Sequence, residues 1–327
     1  MESNRKIHRF MLSAMASLTA LSAFGVDNEP SKQINLPDVY GTIRLRSEYS
    51  TEKGEARFMV RTARVGILGD VGHFIEYKAE LDVCDRGEVK VTDVWGRFNL
   101  PAGFKIQIGQ MRMPFTFGSG RAPHTYLFAD RPYVDKQFIG PRNVGVKGIF
   151  NHHASGVTVE AGVFNSTSNT SHATWQSRMQ AAAKVQWRIS KFTLLGGYET
   201  LAPTLCRTSN WNAGLNWKGR RLTLEGEYVY KHYNGGGFDD AHAYNFTVDY
   251  KIPLRKSVFN NVSVQGRFDG MTDYSSATQL TGDGHIAMTE PTHQRLTVGA
   301  TLSYVRKNFF TDIKLNYANY FYHSGYT

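Results

Sequence analysis

The chain has 327 residues, with 38 Lys and Arg against 28 Asp and Glu for a net charge of +10, 41% hydrophobic residues and two cysteines. That hydrophobic share excludes a disordered chain, and Cys84 and Cys206 are too few for a disulfide scaffold or a cysteine-rich zinc module. Beyond the first 26 residues no stretch approaches the roughly 18 consecutive apolar residues of a membrane-spanning helix, which excludes a helical membrane protein.

Residues 1–25 read as a cleaved export signal. A basic start (Arg5, Lys6, Arg9) leads into an uncharged apolar run from Phe10 to Gly25 that ends small-x-small at Ala23-Phe24-Gly25. Residues 26–37 form a short leader, and a single β domain is expected over 38–327.

From Asp38 the dominant period is two. Val39, Gly41, Ile43 and Leu45 alternate with Tyr40, Thr42, Arg44, Arg46 and Glu48; Ile75, Tyr77, Ala79 and Leu81 alternate with Glu76, Lys78, Glu80 and Asp82. Phe104, Ile106 and Ile108 alternate with Lys105 and Gln107, and Leu222, Leu224, Tyr228 and Tyr230 with Thr223, Glu225, Glu227 and Lys231. The pattern returns in Tyr244–Tyr250 and in Ile313, Leu315 and Tyr317 against Asp312, Lys314 and Asn316. Strict alternation gives each strand one apolar and one polar face. About fifteen such segments of about 10 residues exceed what one two-sheet core can bury, and they match outer-membrane strands with apolar faces to lipid and polar faces to a wet lumen. Tyr49, Trp187, Trp211, Trp217, Tyr228, Tyr230, Tyr304, Tyr320 and Tyr322 fall at strand ends, where interfacial girdles belong. The expected fold is therefore an all-β, transmembrane antiparallel barrel of about 16 strands.

Connections alternate in length. Short links at Gly69–Gly72, Leu100–Gly103, His152–Ser155, Ile189–Lys191, Lys218–Arg220 and Val305–Asn308 separate long ones at Met113–Asn143, Ser166–Thr174, Thr200–Thr208, Tyr233–Ala241 and Met271–Pro291. Short turns are expected inside the cell envelope and long loops outside. Fifteen strands are countable where an even number is expected. The sixteenth is sought either around Thr125–Phe138, the reading the count itself favours, or past the last residues.

Charge concentrates in the longest loop. Between Arg112 and Lys147 stand Arg112, Arg121, Arg131, Lys136, Arg142 and Lys147 against Asp130 and Asp135. The low polarity of Phe115, Phe117, Tyr126, Leu127, Phe128 and Tyr133 folds this loop into the barrel, so its cations are expected at the narrowest point, where they favour anions, phosphate included. Arg112, Arg121, Arg131, Lys136 and Arg142 are the candidate constriction and anion contacts; Arg44, Arg46, Arg57, Arg61, Lys78 and Lys105 are the candidate luminal wall. Arg64 has parity opposite to Arg61, so it faces outward near an interface or marks a bulge.

Arg57–Gly72 (RFMVRTARVGILGDVG), Gly109–Pro114 (GQMRMP), Arg121–Arg131 (RAPHTYLFADR) and Arg142–Gly148 (RNVGVKG) resemble the phosphate-selective porin O/P family, in the shorter Bacteroides-type version. The resemblance runs over essentially the whole mature chain. It implies a 16-stranded outer-membrane barrel, a homotrimer embedded in outer-membrane lipid and lipopolysaccharide, whose inward third loop passes small anions; Arg112, Arg121, Arg131 and Arg142 occupy the matching positions. Two departures stand out: the wall alternates basic with acidic residues, and the family's closing aromatic strand is missing.

An enzyme is not expected, since no G-x-S-x-G, H-E-x-x-H, P-loop or dinucleotide turn is present. No cofactor is implied. The His152-His153 pair in a short turn reads as solvated, and Cys84 and Cys206 as isolated thiols. Nucleic-acid binding is disfavoured by export and by acids that interrupt any basic stripe. The rival function is a non-conducting barrel acting as an adhesin or partner-binding module, with Gly235-Gly236-Gly237 and the loop ending at Pro291 as its surface.

Overall fold

The computed structural model describes residues 36–322 apart from 86, 141, 167–174, 176, 256 and 308. The expected export signal and most of the leader lie outside the described residues.

Alternation builds fifteen strands: β1 (Asp38–Ser50), β2 (Glu55–Val71), β3 (Ile75–Asp85), β4 (Glu88–Asn99), β5 (Phe104–Arg112), β6 (Arg142–His152), β7 (Val157–Phe164), β8 (Gln180–Ile189), β9 (Phe192–Leu201), β10 (Thr208–Lys218), β11 (Leu222–Tyr233), β12 (Ala241–Pro253), β13 (Asn261–Met271), β14 (His293–Arg306) and β15 (Phe309–Tyr322). They form one sheet in sequence order, every neighbouring pair antiparallel. A hairpin series satisfies the backbone of β2 to β14 from both sides, which a strand crossing lipid requires.

The faces sort as the alternation dictates. Val146, Leu215, Phe246, Val264 and Leu296 point outward and are exposed, while Glu225, Glu227, Lys231, Arg267, Asp269 and Arg295 point inward and are buried. Charged residues inside and bare aliphatics outside invert a soluble protein and mark a wall between lipid and lumen. The sheet is an all-β transmembrane barrel wall of fifteen strands.

The stretch Thr125–Phe138 does not supply another strand. It holds one turn at Pro123–Thr125 and a single helical turn, α1 (Tyr133–Lys136), because Pro123 and Pro132 fix φ near the helical value at each start and leave no ladder donor there. Arg142 also belongs to β6 and not to the loop.

Arg64 marks a bulge. Arg44 pairs with Thr62 and Leu45 with Val60, so Arg61 is the extra residue in β2 and every later side chain changes face. Arg64 therefore turns inward, where it meets Glu80 at 3.0 Å and Asp82 at 3.1 Å.

The sheet rolls until its first and last strands reach one loop residue. Arg44 of β1 donates to the Ala129 carbonyl at 3.0 Å, and the Ala129 N–H donates to Asn316 Oδ1 of β15 at 2.8 Å. Apolar side chains on these two strands are barer than those within the sheet: Leu45 is 76% and Leu315 77% exposed, against 45% for Leu215. Each of the two has one strand neighbour among the described pairings.

The apolar core lies inside the roll. Phe115, Tyr133, Val134 and Phe138 of the loop pack with Val229, Tyr233, Ala241, Ala243 and Met271 of β11–β13 and with Tyr274 and Ala277 of the 272–292 loop.

Candidate constriction site

The 113–141 loop leaves β5, crosses the lumen and returns into β6, held on opposite sides of the wall by different chemistry. Glycines give the first half its seat. A Cβ on Gly197 of β9 would stand 2.4 Å from the Phe115 carbonyl, and one on Gly214 of β10 would stand 2.8 Å from the Phe117 ring. No side chain fits between wall and loop at either point.

Wall acids hold loop N–H groups. Phe117 N–H donates to Glu227 Oε1 at 2.9 Å, Tyr133 N–H to Asp269 Oδ2 at 3.1 Å and Gly140 N–H to Glu199 Oε1 at 3.2 Å. Wall cations hold loop carbonyls in turn: Arg267 binds Asp130 O at 2.8 Å, Arg295 binds Arg131 O at 2.9 Å, and Lys314 binds Tyr126 O. Strand side chains thus replace the ladder partners that irregular backbone lacks inside a barrel. Arg295 also forks onto Asp269, with Nη2 at 2.6 Å and Nε at 3.1 Å, and its guanidinium lies 4.5 Å from the Tyr133 ring centroid.

Of the candidate residues, several are neutralised. Arg121 forks onto Glu225, Nη1 at 2.7 Å, and fixes the loop to β11. Arg142 donates to Asp93 at 2.7 Å, Lys78 to the same carboxylate at 2.7 Å and Lys105 to Glu76 at 3.0 Å. Arg46 forks onto Asp130 with both bonds at 2.7 Å and also pairs with Glu48. These bonds, Arg46's first among them, hold the loop carboxyl of Asp130 down at about 2, against the cost of burial. Arg57 pairs with Glu48 at the outer end of β2, its side chain 72% exposed. Arg44 is spent on Ala129, and Arg61 sits at the bulge within electrostatic reach of it. Lys136 is exposed beside the Tyr133 ring.

Arg112 and Arg131 differ. Arg112 stands opposite Arg142 at the head of β5, within electrostatic reach of Arg142 and Arg131, and its Nε is buried with no hydrogen-bond partner. The Arg131 guanidinium has no hydrogen-bonded or ion-paired partner among the described residues. Of the five loop-region cations, Arg121 and Arg142 are paired with carboxylates, while Arg112, Arg131 and the exposed Lys136 have no such pairing among the described residues.

Sequence reasoning missed Arg267, Asp269 and Arg295. Their signal was parity: Gln265, Arg267 and Asp269 alternate with Val264 and Phe268 as strictly as the stretches that were read. Among the described residues no group of three or more acidic, His or Cys side chains could hold a metal ion, and His152 binds Ser155 Oγ at 2.7 Å. Cys84 and Cys206 are free thiols.

Against this geometry, solved structures give a consistent class. The chain is similar to a loop-deletion form of OmpT, an outer membrane protein of Vibrio cholerae, with TM-score 0.62 and 11% identity over 88% of this chain and 95% of that one. It is similar to OmpF of Salmonella typhi in complex with daunomycin, with TM-score 0.56 and 10% identity over 88% and 98% of the two chains. The anion-selective porin of Comamonas acidovorans gives 0.54 and 11% over 82% and 84%. No family model and no curated protein matches the chain. The fold is that of a transmembrane β-barrel, and within that class it is the fold of the bacterial outer-membrane porins.

Proposed function

We propose that the chain is an outer-membrane porin of the phosphate-selective O/P type, which passes small hydrophilic solutes by passive diffusion with a bias towards anions such as phosphate. The carrying observation is the pair Arg112 and Arg131, left without carboxylate partners where a loop narrows the lumen. Around them Arg121, Arg142, Lys78 and Lys105 are paired with carboxylates, so the unpaired guanidinium groups add positive field at the loop. Low-dielectric walls focus that field on a passing ion, and guanidinium groups offer phosphate a planar fork of donors. The Comamonas acidovorans neighbour, an anion-selective porin, supports the same class of solute. The mature protein is exported through a cleaved signal over 1–25, sits in outer-membrane lipid with lipopolysaccharide and assembles as a homotrimer.

The test is the zero-current potential of reconstituted protein in a planar bilayer across a KCl gradient, with and without phosphate. An anion-selective current that phosphate reduces is expected, together with a shift towards cations in Arg112→Gln/Arg131→Gln. Unchanged ion preference in the double variant removes these residues from the mechanism. A folded protein that carries no current turns the function to the adhesin or partner-binding module.

A further inference from the structure

Thr116 and Phe117 are neighbours in the loop, and each is held by a different carboxyl. Thr116 Oγ1 donates to Asp135 Oδ1 of α1 at 2.7 Å, and Phe117 N–H donates to Glu227 Oε1 of β11 at 2.9 Å, where Asn212 Nδ2 also donates at 3.2 Å. Adjacent anchors hold the two carboxyls within electrostatic reach of each other, and each has a second oxygen, Asp135 Oδ2 and Glu227 Oε2, that is buried with no hydrogen-bond partner among the described residues. Asp135 is 2% and Glu227 4% exposed. Two buried ionised carboxylates with orphan oxygens are costly on both counts, desolvation and like charge.

The surrounding charges do not resolve this. Arg121 faces the pair from the loop but gives both of its terminal nitrogens to Glu225, the third acid of the cluster. Arg131 and the β5 residue Arg112 reach Asp135 only through space. From β8, Lys184 pairs with Glu160 at 2.9 Å. From β12 the facing residue is Asn245, itself without a partner, and from β13 it is Asp269, already bound to Arg295 and to Tyr133 N–H. No acidic, His or Cys triplet among the described residues is placed for a metal ion.

We propose that Asp135 and Glu227 hold one proton between them, and that this proton fastens the loop to β11. A hydroxyl on one carboxyl donates to the orphan oxygen of the other, which satisfies both and leaves one negative charge. Burial, the largest influence, pushes the Asp135 carboxyl up, and Glu225 adds to it; Thr116, Arg121 and Arg131 pull the other way. When the proton leaves to lumen water, two anions face each other under α1 and the 113–121 segment parts from β11. Alkaline pH thus frees the loop, independently of what the barrel conducts.

The measurement is nitroxide mobility at Lys136→Cys, an exposed position beside Asp135, in a Cys84→Ser/Cys206→Ser chain folded into vesicles and scanned from about pH 5 to about pH 10. The ratio of mobile to immobile spectrum should rise about tenfold per pH unit above the titration of the pair, since one proton is released per loop freed. Glu227→Gln keeps the acceptor for Phe117 N–H and supplies an amide donor to Asp135, so its loop stays immobile at every pH; Asp135→Asn does the same from the other side. Gly118→Ala places a Cβ 2.0 Å from Asp135 Oδ2 and frees the loop across the whole range. Because the readout needs no ion current, failure of the porin function leaves it intact. A flat ratio in the parent, or the parent's slope in Glu227→Gln or Asp135→Asn, overturns the proposal.

Discussion

Arg295→Met tests whether buried charge holds the loop. Arg295 is 2% exposed and its partner Asp269 is fully buried, joined by a fork of 2.6 and 3.1 Å. Removing the guanidinium leaves the carboxylate with Tyr133 N–H and with Arg267 Nε at 3.3 Å, takes the clamp off the Arg131 carbonyl and strips the cation from the Tyr133 face. Breaking a buried pair from one side costs about 3–5 kcal/mol where the remaining charge is uncompensated, and Arg267 beside Asp269 puts the loss at the lower end of that range. With a urea slope of about 3 kcal/mol per molar, the unfolding midpoint should fall by about 1–2 M. The assay is urea unfolding of vesicle-folded protein, followed by tryptophan fluorescence and by the gel-mobility difference between folded and unfolded barrel. A single-variant loss under about 1 kcal/mol would refute the reasoning.

Gly197→Ala forces the Phe115 backbone off the wall, because the 2.4 Å approach is to a carbonyl and not to a side chain that can swing away; a loss of about 1–3 kcal/mol in the same unfolding assay is expected. Gly226→Ala, on β11 where the nearest atoms stand at 3.8 Å, is the control and should change little. Arg121→Gln/Glu225→Gln removes equal and opposite charges, so it should lower loop stability in proteolysis while leaving the zero-current potential near the parent's. Asp130 lies below the usual carboxylate range in the folded state, so its contribution is present above about pH 4 and is lost as pH falls towards about 2. Arg46→Gln should move that loss to higher pH in an acid titration of loop mobility; an unchanged profile would mean that Arg46 does not set it.

Parity along the strands was legible because a two-residue period needs no knowledge of partners. Lys78, Lys105, Glu225 and Lys231 could be placed inward from neighbouring apolar residues alone. A single inserted residue at Arg61 defeats that rule for Arg64, since a bulge becomes visible only when Thr62 and Val60 are seen against Arg44 and Leu45. The inward loop could be read from its aromatic residues, but its internal structure could not. Thr125–Phe138 has the length and apolar content of a strand, and only Pro123, Pro132 and the contacts of Tyr133 with β13 and β14 turn it into a short helical turn. The partners of Arg121 and Arg46 lie 104 and 84 residues away, beyond any local pattern.

Counting cations along the loop therefore overstates the charge a solute meets. A loop suspended in a barrel must find donors and acceptors for irregular backbone, and this wall supplies them from ionised side chains: Glu227, Asp269 and Glu199 for N–H groups, Arg44, Arg267, Arg295 and Lys314 for carbonyls. Each charge used this way is fixed in place by a backbone bond, and Arg267 and Arg295 are matched by Asp269 and Lys314 by Asp312. Arg112 and Arg131 stand outside that scheme, with no carboxylate hydrogen-bonded or ion-paired to them among the described residues. On the proposed function a mixed acidic and basic wall is then compatible with a net anion preference, because alternation along the strands anchors the loop while the unpaired guanidinium groups add positive field at the narrow point.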